Sequence, residues 1–166
     1  MKAATTAGLL AAAVLAALGA CDGKKKNNIS GVGKYTFNKT TLKDAKEGNC
    51  QPTQLEDGRM ATWCFALPPF KLAKSTIADV DLYFDGTAPD AKLIEIQLKI
   101  RGCQEAEVES WMRSAFGPPI ESKSTRVYWK NEYLWAAALL PSEPARCLIH
   151  LLPLSENAEI ERIKQK

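Results

Sequence analysis

Residues 77–85, Ile-Ala-Asp-Val-Asp-Leu-Tyr-Phe-Asp, and residues 94–101, Ile-Glu-Ile-Gln-Leu-Lys-Ile-Arg, decide the fold. Val80, Leu82 and Phe84 alternate with Asp79, Asp81, Tyr83 and Asp85. Ile94, Ile96, Leu98 and Ile100 alternate with Glu95, Gln97, Lys99 and Arg101. A period of two sends successive side chains to opposite faces, so each stretch predicts a half-buried strand. Gly86 to Ala91, with Pro89 inside it, supplies the turn.

Downstream the period changes. Val108, Trp111, Met112, Ala115 and Phe116 recur at spacings of three and four, the stripe of an amphipathic helix. Glu105 and Glu107 suit its start, and Gly117 with Pro118-Pro119 stops it. Three further strands are expected at about 125–130, 133–140 and 145–154, joined by Asn131-Glu132 and by Pro141 to Pro144. Ser155 is positioned to cap a polar carboxy-terminal helix. Upstream, Thr41 to Gly48 reads as a short helix, and residues 64–76 as irregular around Pro68-Pro69. The expected class is α+β: an antiparallel sheet of about five strands in the order β-β-α-β-β-β, with one helix packed on one face.

The amino terminus has a different character. Met1 and Lys2 precede an apolar run from Ala7 to Leu18, the shape of a secretory signal, and then comes Leu18-Gly19-Ala20-Cys21. This resembles the lipobox of bacterial lipoproteins: an aliphatic residue, two small residues, then Cys. The resemblance covers residues 1–21 only. It implies that residues 1–20 are a cleaved signal peptide and that the Cys21 thiol carries a diacylglyceryl group, with its freed amine acylated. Asp22 resembles an inner-membrane retention signal, so an envelope location favouring the inner membrane is expected. Residues 21–33 would form a lipidated tether, in which Lys24, Lys25 and Lys26 can rest on anionic headgroups. Residues 34–166 remain as one globular domain.

Charge excludes one class of partner. The chain carries 22 Lys and Arg against 19 Asp and Glu. Loss of Lys2 with the signal leaves a nearly balanced mature chain, too mild for nucleic acid.

Four more cysteines, Cys50, Cys64, Cys103 and Cys147, would meet an oxidising compartment, where an even number predicts disulfides. Glu56-Asp57-Gly58 fits a three-residue hairpin loop that sets Leu55 opposite Arg59 and Cys50 opposite Cys64. Cys103 and Cys147 then form the remaining pair. A metal is not expected: no Cys-x-x-Cys occurs, and His150 is the lone histidine. Asp79, Asp81, Asp85 and Glu95 read as a solvated strand face rather than a calcium site. No Gly-x-Ser-x-Gly, phosphate loop or paired His motif is present, so neither catalysis nor a cofactor is expected.

Counting outward from the two turns sets Trp129 against Leu134, Tyr128 near Trp135, Ala138 against Cys147 and Trp135 against His150. One sheet face then gathers Tyr128, Tyr133, Trp135 and His150, with Arg126 and Lys130 at its edge. This is a candidate binding face, unless residues 34–72 cover it as a second layer. The expected function is a membrane-anchored accessory lipoprotein that binds an envelope protein. The alternative is a small apolar or lipid ligand held between helix and sheet.

Overall fold

The structure, a computed structural model, describes residues 29–166. The signal peptide, Cys21, Asp22 and the first part of the tether lie outside the described residues. The chain enters through a small ribbon, β1 (Gly31–Val32) with β2 (Tyr35–Thr36), and a single 3-10 turn at Leu42–Ala45. There follow β3 (Asn49–Gln54), β4 (Met60–Phe65), β5 (Phe70–Lys71), β6 (Ile77–Asp85) and β7 (Leu93–Arg101). Next come the helix α1 (Glu105–Phe116), β8 (Glu121–Lys123), β9 (Arg126–Lys130), β10 (Leu134–Glu143) and β11 (Arg146–Pro153). A second 3-10 turn at Leu154–Glu156 leads into α2 (Asn157–Gln165).

The main sheet is wholly antiparallel and has nine strands, not five. Its order is β3-β4-β6-β7-β11-β10-β9-β8, with β5 beside β6. The extra strands have two sources. The 50–64 hairpin does not form a second layer; β4 pairs with β6, from Ala61 against Asp85 to Cys64 against Leu82. β5 and β8 have two and three residues, too few for any periodicity to register. Pro52 is tolerated because β3 is an edge strand, where a missing N–H costs no inner ladder bond.

The alternation works as read on β6. Val80, Leu82 and Phe84 join Ile96, Leu98, Ile100, Ile149 and Leu151 in the main core, with Val108, Met112 and Phe116 of α1 packed in the same cluster. The bulge between Tyr83 and Phe84 sets Leu93, not Ile94, against Phe84. Residues from the amino-terminal stretch, Val32, Tyr35 and Phe37, complete that layer. Gly117 ends α1 with φ of 83° while its N–H donates to the Arg113 carbonyl at 2.8 Å, a conformation that favours glycine.

Three expectations are corrected. The helix expected over Thr41 to Gly48 is one 3-10 turn, closed by Asp44 accepting from the Thr41 N–H and hydroxyl at 2.8 and 2.9 Å. Ser155 does not cap α2; it lies inside the preceding 3-10 turn, and Glu156 holds the cap position. The sheet carries a helix on each face, because Ile160 and Ile163 give α2 an apolar edge that seals a second cluster with Tyr128, Trp135, Ala137 and Leu152. No helix among the described residues is long and apolar enough to cross a membrane.

Candidate functional site

Both sequence-derived turn registers slip by two residues. Trp129 pairs with Ala136 and Trp135 with Leu152, whereas Leu134 and His150 were the partners expected. The first slip arises because Asn131 closes the turn itself. Its N–H donates to the Leu134 carbonyl at 3.0 Å, and its side-chain oxygen accepts from the Tyr133 and Leu134 N–H groups at 2.8 and 2.9 Å. The two-residue loop is therefore Glu132-Tyr133. The second slip arises because β10 runs on to Glu143, which pairs with Arg146. A shift of two preserves face parity. Tyr128, Trp135 and His150 accordingly do share a face, opposite the α1 core.

That second face divides into two halves. Over β9, β10 and β11, α2 covers it: Tyr128 is 2% exposed and Trp135 9%. Lys164 of α2 stands 5.7 Å from the Tyr128 ring centroid and 5.3 Å from that of Trp135, while Lys130 stands 4.2 Å from Trp135. Tyr133, in its turn, is exposed. The four residues expected to form one open face are therefore not one surface. The covering element is α2, not residues 34–72.

Over β3, β4, β6 and β7 the face carries no helix among the described residues. The register runs Gln51, Trp63, Tyr83, Glu95 in one row across these four strands. Trp63 and Tyr83 are near-parallel, with ring centroids 6.4 Å apart and planes at 12°; Phe65 lies 4.5 Å from Trp63. All three are half-buried. Asp81, 5% exposed, fixes Trp63: its Oδ2 accepts from the indole N–H at 2.8 Å and from the Lys99 ammonium at 2.5 Å. The Lys99 ammonium is also 5.5 Å from the Trp63 ring centroid. Burial, reinforced by Glu95 and Asp81, raises the Tyr83 hydroxyl pKa, so this ring stays neutral.

Tyr83 also lines a cavity of about 290 Å³, with both charged and aliphatic walls, between the β3–β4 hairpin tip, the sheet and the edge of α2. On its wall His150 Nδ1 lies 2.6 Å from Glu95 Oε1, and the same oxygen accepts from Gln97 Nε2 at 3.0 Å. A carboxylate only accepts, which sets the imidazole proton on Nδ1. Ion pairs bridge the cavity rim: Arg59 to Glu156 at 2.6 Å, and Arg162 and Lys166 to Glu56. Arg59 joins Asp57 and Glu156 through several hydrogen bonds, so the rim is a network rather than a lone surface pair. Each acid on the wall is thus already engaged, an arrangement suited to holding a shape.

The solvated carboxylate face is corrected as well. Asp79 and Asp85 are exposed beside Arg101 and Arg59 at 3.4 and 3.8 Å, whereas Asp81 and Glu95 are buried in the contacts above. Among the described residues no group of three candidate ligands converges on a metal position. Both expected cysteine pairs meet: Cys50 with Cys64 across β3 and β4 at a Cα separation of 4.0 Å, and Cys103 with Cys147 at 5.6 Å.

Glu159 supplies a testable pH dependence. Burial, with Glu95 close by, pushes its carboxyl from the usual 4.5 up to about 7, while His150 and Lys166 pull the other way. Arg162 donates to it through Nε at 2.8 Å and opposes the rise further. The folded chain therefore binds a proton that the unfolded chain has released between these two values, and stability falls as pH rises through that window. Glu159→Gln is expected to flatten this part of the profile, so that its advantage in urea midpoint over the parent grows from pH 5 to pH 8. A constant difference would show that the carboxyl is not desolvated.

Trp63, Phe65 and Tyr83 were missed in the sequence, although the signals existed. The hairpin register turned Trp63 away from the Cys50–Cys64 side, and the β6 alternation turned Tyr83 away from the core. Nothing local announced that β4 lies beside β6. No known protein family, curated protein or solved structure matches this chain.

Proposed function

We propose that this chain is a membrane-anchored envelope lipoprotein whose domain binds another envelope component without transforming it. The single observation that carries the binding role is the Trp63–Phe65–Tyr83 strip: three half-buried rings on the half of the sheet that carries no helix among the described residues, one of them locked by a buried carboxylate. Large rings held in one geometry lose little conformational freedom on binding, which is why such side chains anchor recognition surfaces. The engaged acids of the neighbouring cavity support a role without catalysis.

The anchor rests on Leu18 to Cys21, and Asp22 favours the inner membrane. One acyl chain holds a protein only reversibly, whereas two or more on the same residue hold it durably. The first described residue is already tied to the domain: Asn131 Nδ2 donates to the Ile29 carbonyl at 2.9 Å. Only a short run then separates Cys21 from the folded body, which keeps the domain within roughly 30 Å of the bilayer at full extension.

Intact mass and membrane fractionation test the anchor. The mature chain is expected to begin at Cys21 with added diacylglyceryl and acyl mass, and Cys21→Ala is expected to abolish both the added mass and the normal processing. A Cys21→Ala chain that is still cut at the same place and held in the membrane fraction overturns this reading.

A further inference from the structure

From the open half of the second face we infer that the component bound is a neutral glycan chain, stacked on Trp63 and Tyr83, rather than the protein partner expected from the sequence. The inference rests on the strip being a binding site and names its occupant.

The composition of this half argues for a saccharide. Around the rings stand Asn49, Gln51, Asp81, Glu95, Gln97 and Lys99, all polar and mostly planar. Ile77 lies at the far end of β6, away from the rings, and the aliphatic side chains near Tyr83, Leu55 and Ile94, line the adjoining cavity rather than the row itself. A protein partner would be met by an apolar centre of aliphatic and aromatic groups with a polar rim. A sugar ring presents the opposite need: an apolar face of C–H groups that lies against an aromatic plane, and an equator of hydroxyls that pairs with amides and carboxylates.

Charge argues that the glycan is neutral. Lys99 is matched by Asp81 at 2.5 Å and Arg101 by Asp79 at 3.4 Å, while Glu95 is buried and accepts hydrogen bonds from His150 at 2.6 Å and Gln97 at 3.0 Å. An acidic polymer would find no surplus of cations here, and a basic one no exposed unpaired acid, since Glu95 is buried.

Dimensions argue for a chain rather than a single sugar. The row from Gln51 through Trp63 and Tyr83 to Glu95 crosses three interstrand gaps, about 14 Å in all. Its far end meets the cavity of about 290 Å³, whose wall includes Tyr83 and Glu95 of this row. Because Asp81 and Lys99 already hold Trp63, the platform exists before the ligand arrives.

The test uses the full lipidated chain, purified in detergent, titrated by calorimetry with the neutral hexamer of N-acetylglucosamine and, separately, with polygalacturonate as an acidic polymer. Binding of the hexamer and not of polygalacturonate is expected. Trp63→Ala is expected to weaken it roughly tenfold or more, and Trp63→Phe to restore part of the loss, since Phe keeps a stacking face. Circular dichroism of each variant establishes that the fold persists. In parallel, a photo-reactive residue in place of exposed Gln51 reports what touches the strip in cells. No hexamer binding, or equal affinity in Trp63→Ala, overturns the inference. If the hexamer fails while position 51 captures a protein that Trp63→Ala releases, the occupant is wrong and the binding face stands. If both fail, the binding reading falls with it.

Discussion

Replacing Cys103 and Cys147 together by Ala is expected to lower stability by about 4 kcal/mol, the larger of the two disulfide effects. The effect is one of chain entropy. The two cysteines are separated by 44 residues, and a cross-link over that length removes about 4 kcal/mol of freedom from the unfolded chain. The Cys50–Cys64 bridge spans only 14 residues, for which the same reasoning gives about 3 kcal/mol. Its loss is cushioned further, because Leu55 and Arg59 already close that hairpin through a backbone hydrogen bond of 2.9 Å. The longer bridge also has an architectural role. Cys103 lies just ahead of α1, with its N–H donating to the Ala145 carbonyl at 3.1 Å, and Cys147 is buried on β11 under the helix. It fixes where α1 begins over the sheet. Alanine is the proper replacement, since serine would bury an unpaired hydroxyl at position 147. Urea unfolding of the variant is expected to show the reduced stability with melting lowered by roughly 10–15 °C. A loss below about 1 kcal/mol would mean that the unfolded chain is already constrained by other means.

What could be read from the sequence follows the range of the physics involved. Alternation over β6 and the 3.6-residue stripe of α1 are local, and both elements stand where they were expected. The 50–64 hairpin was legible for the same reason: Gly58, with φ of 87°, fits the three-residue loop, and Cys50 meets Cys64 directly. Turn chemistry was harder. Asn131 was assigned to the loop, but its side chain accepts two backbone N–H groups and so draws the residue into the pair that closes the turn. Parity survived that error, and the face assignment of Tyr128, Trp135 and His150 survived with it.

The remainder depended on contacts between distant segments. α2 looked polar because its two core residues, Ile160 and Ile163, make a narrow edge among charged neighbours, so its role as a cover was invisible. That cover decides which aromatics are surface. Tyr128 and Trp135 became core; Trp63 and Tyr83, on strands separated by the β5 excursion, became the strip. The buried Asp81 and Glu95 show the same limit. An acid in a strand reads as solvent-facing until the tryptophan, lysine or histidine that pairs with it is brought alongside from another strand.

The two faces make opposite demands, and Trp129 tests whether they are independent. Trp129 is fully buried on the α1 side and its indole N–H donates to the Gly117 carbonyl at 3.1 Å, tying the end of α1 to β9. Trp129→Ala removes a large ring from a packed core and is expected to cost about 3–5 kcal/mol. Trp129→Phe keeps most of the apolar contact but leaves that carbonyl without its indole donor, for an expected cost of about 1–3 kcal/mol. The ordering Ala worse than Phe worse than parent, measured by chemical denaturation, separates packing from the hydrogen bond. In both variants amide exchange is expected to quicken in the last turn of α1, where Gly117 loses its tie. Glycan affinity in the folded fraction should stay within about twofold of the parent, because Trp63, Asp81 and Lys99 stand on the other side of the sheet and keep their contacts. Should Trp129→Ala unfold at ordinary temperature, the Phe variant still carries the comparison. A folded Trp129→Phe chain that loses the ligand would show that the sheet transmits core strain to the strip, and the two faces could no longer be treated as separate.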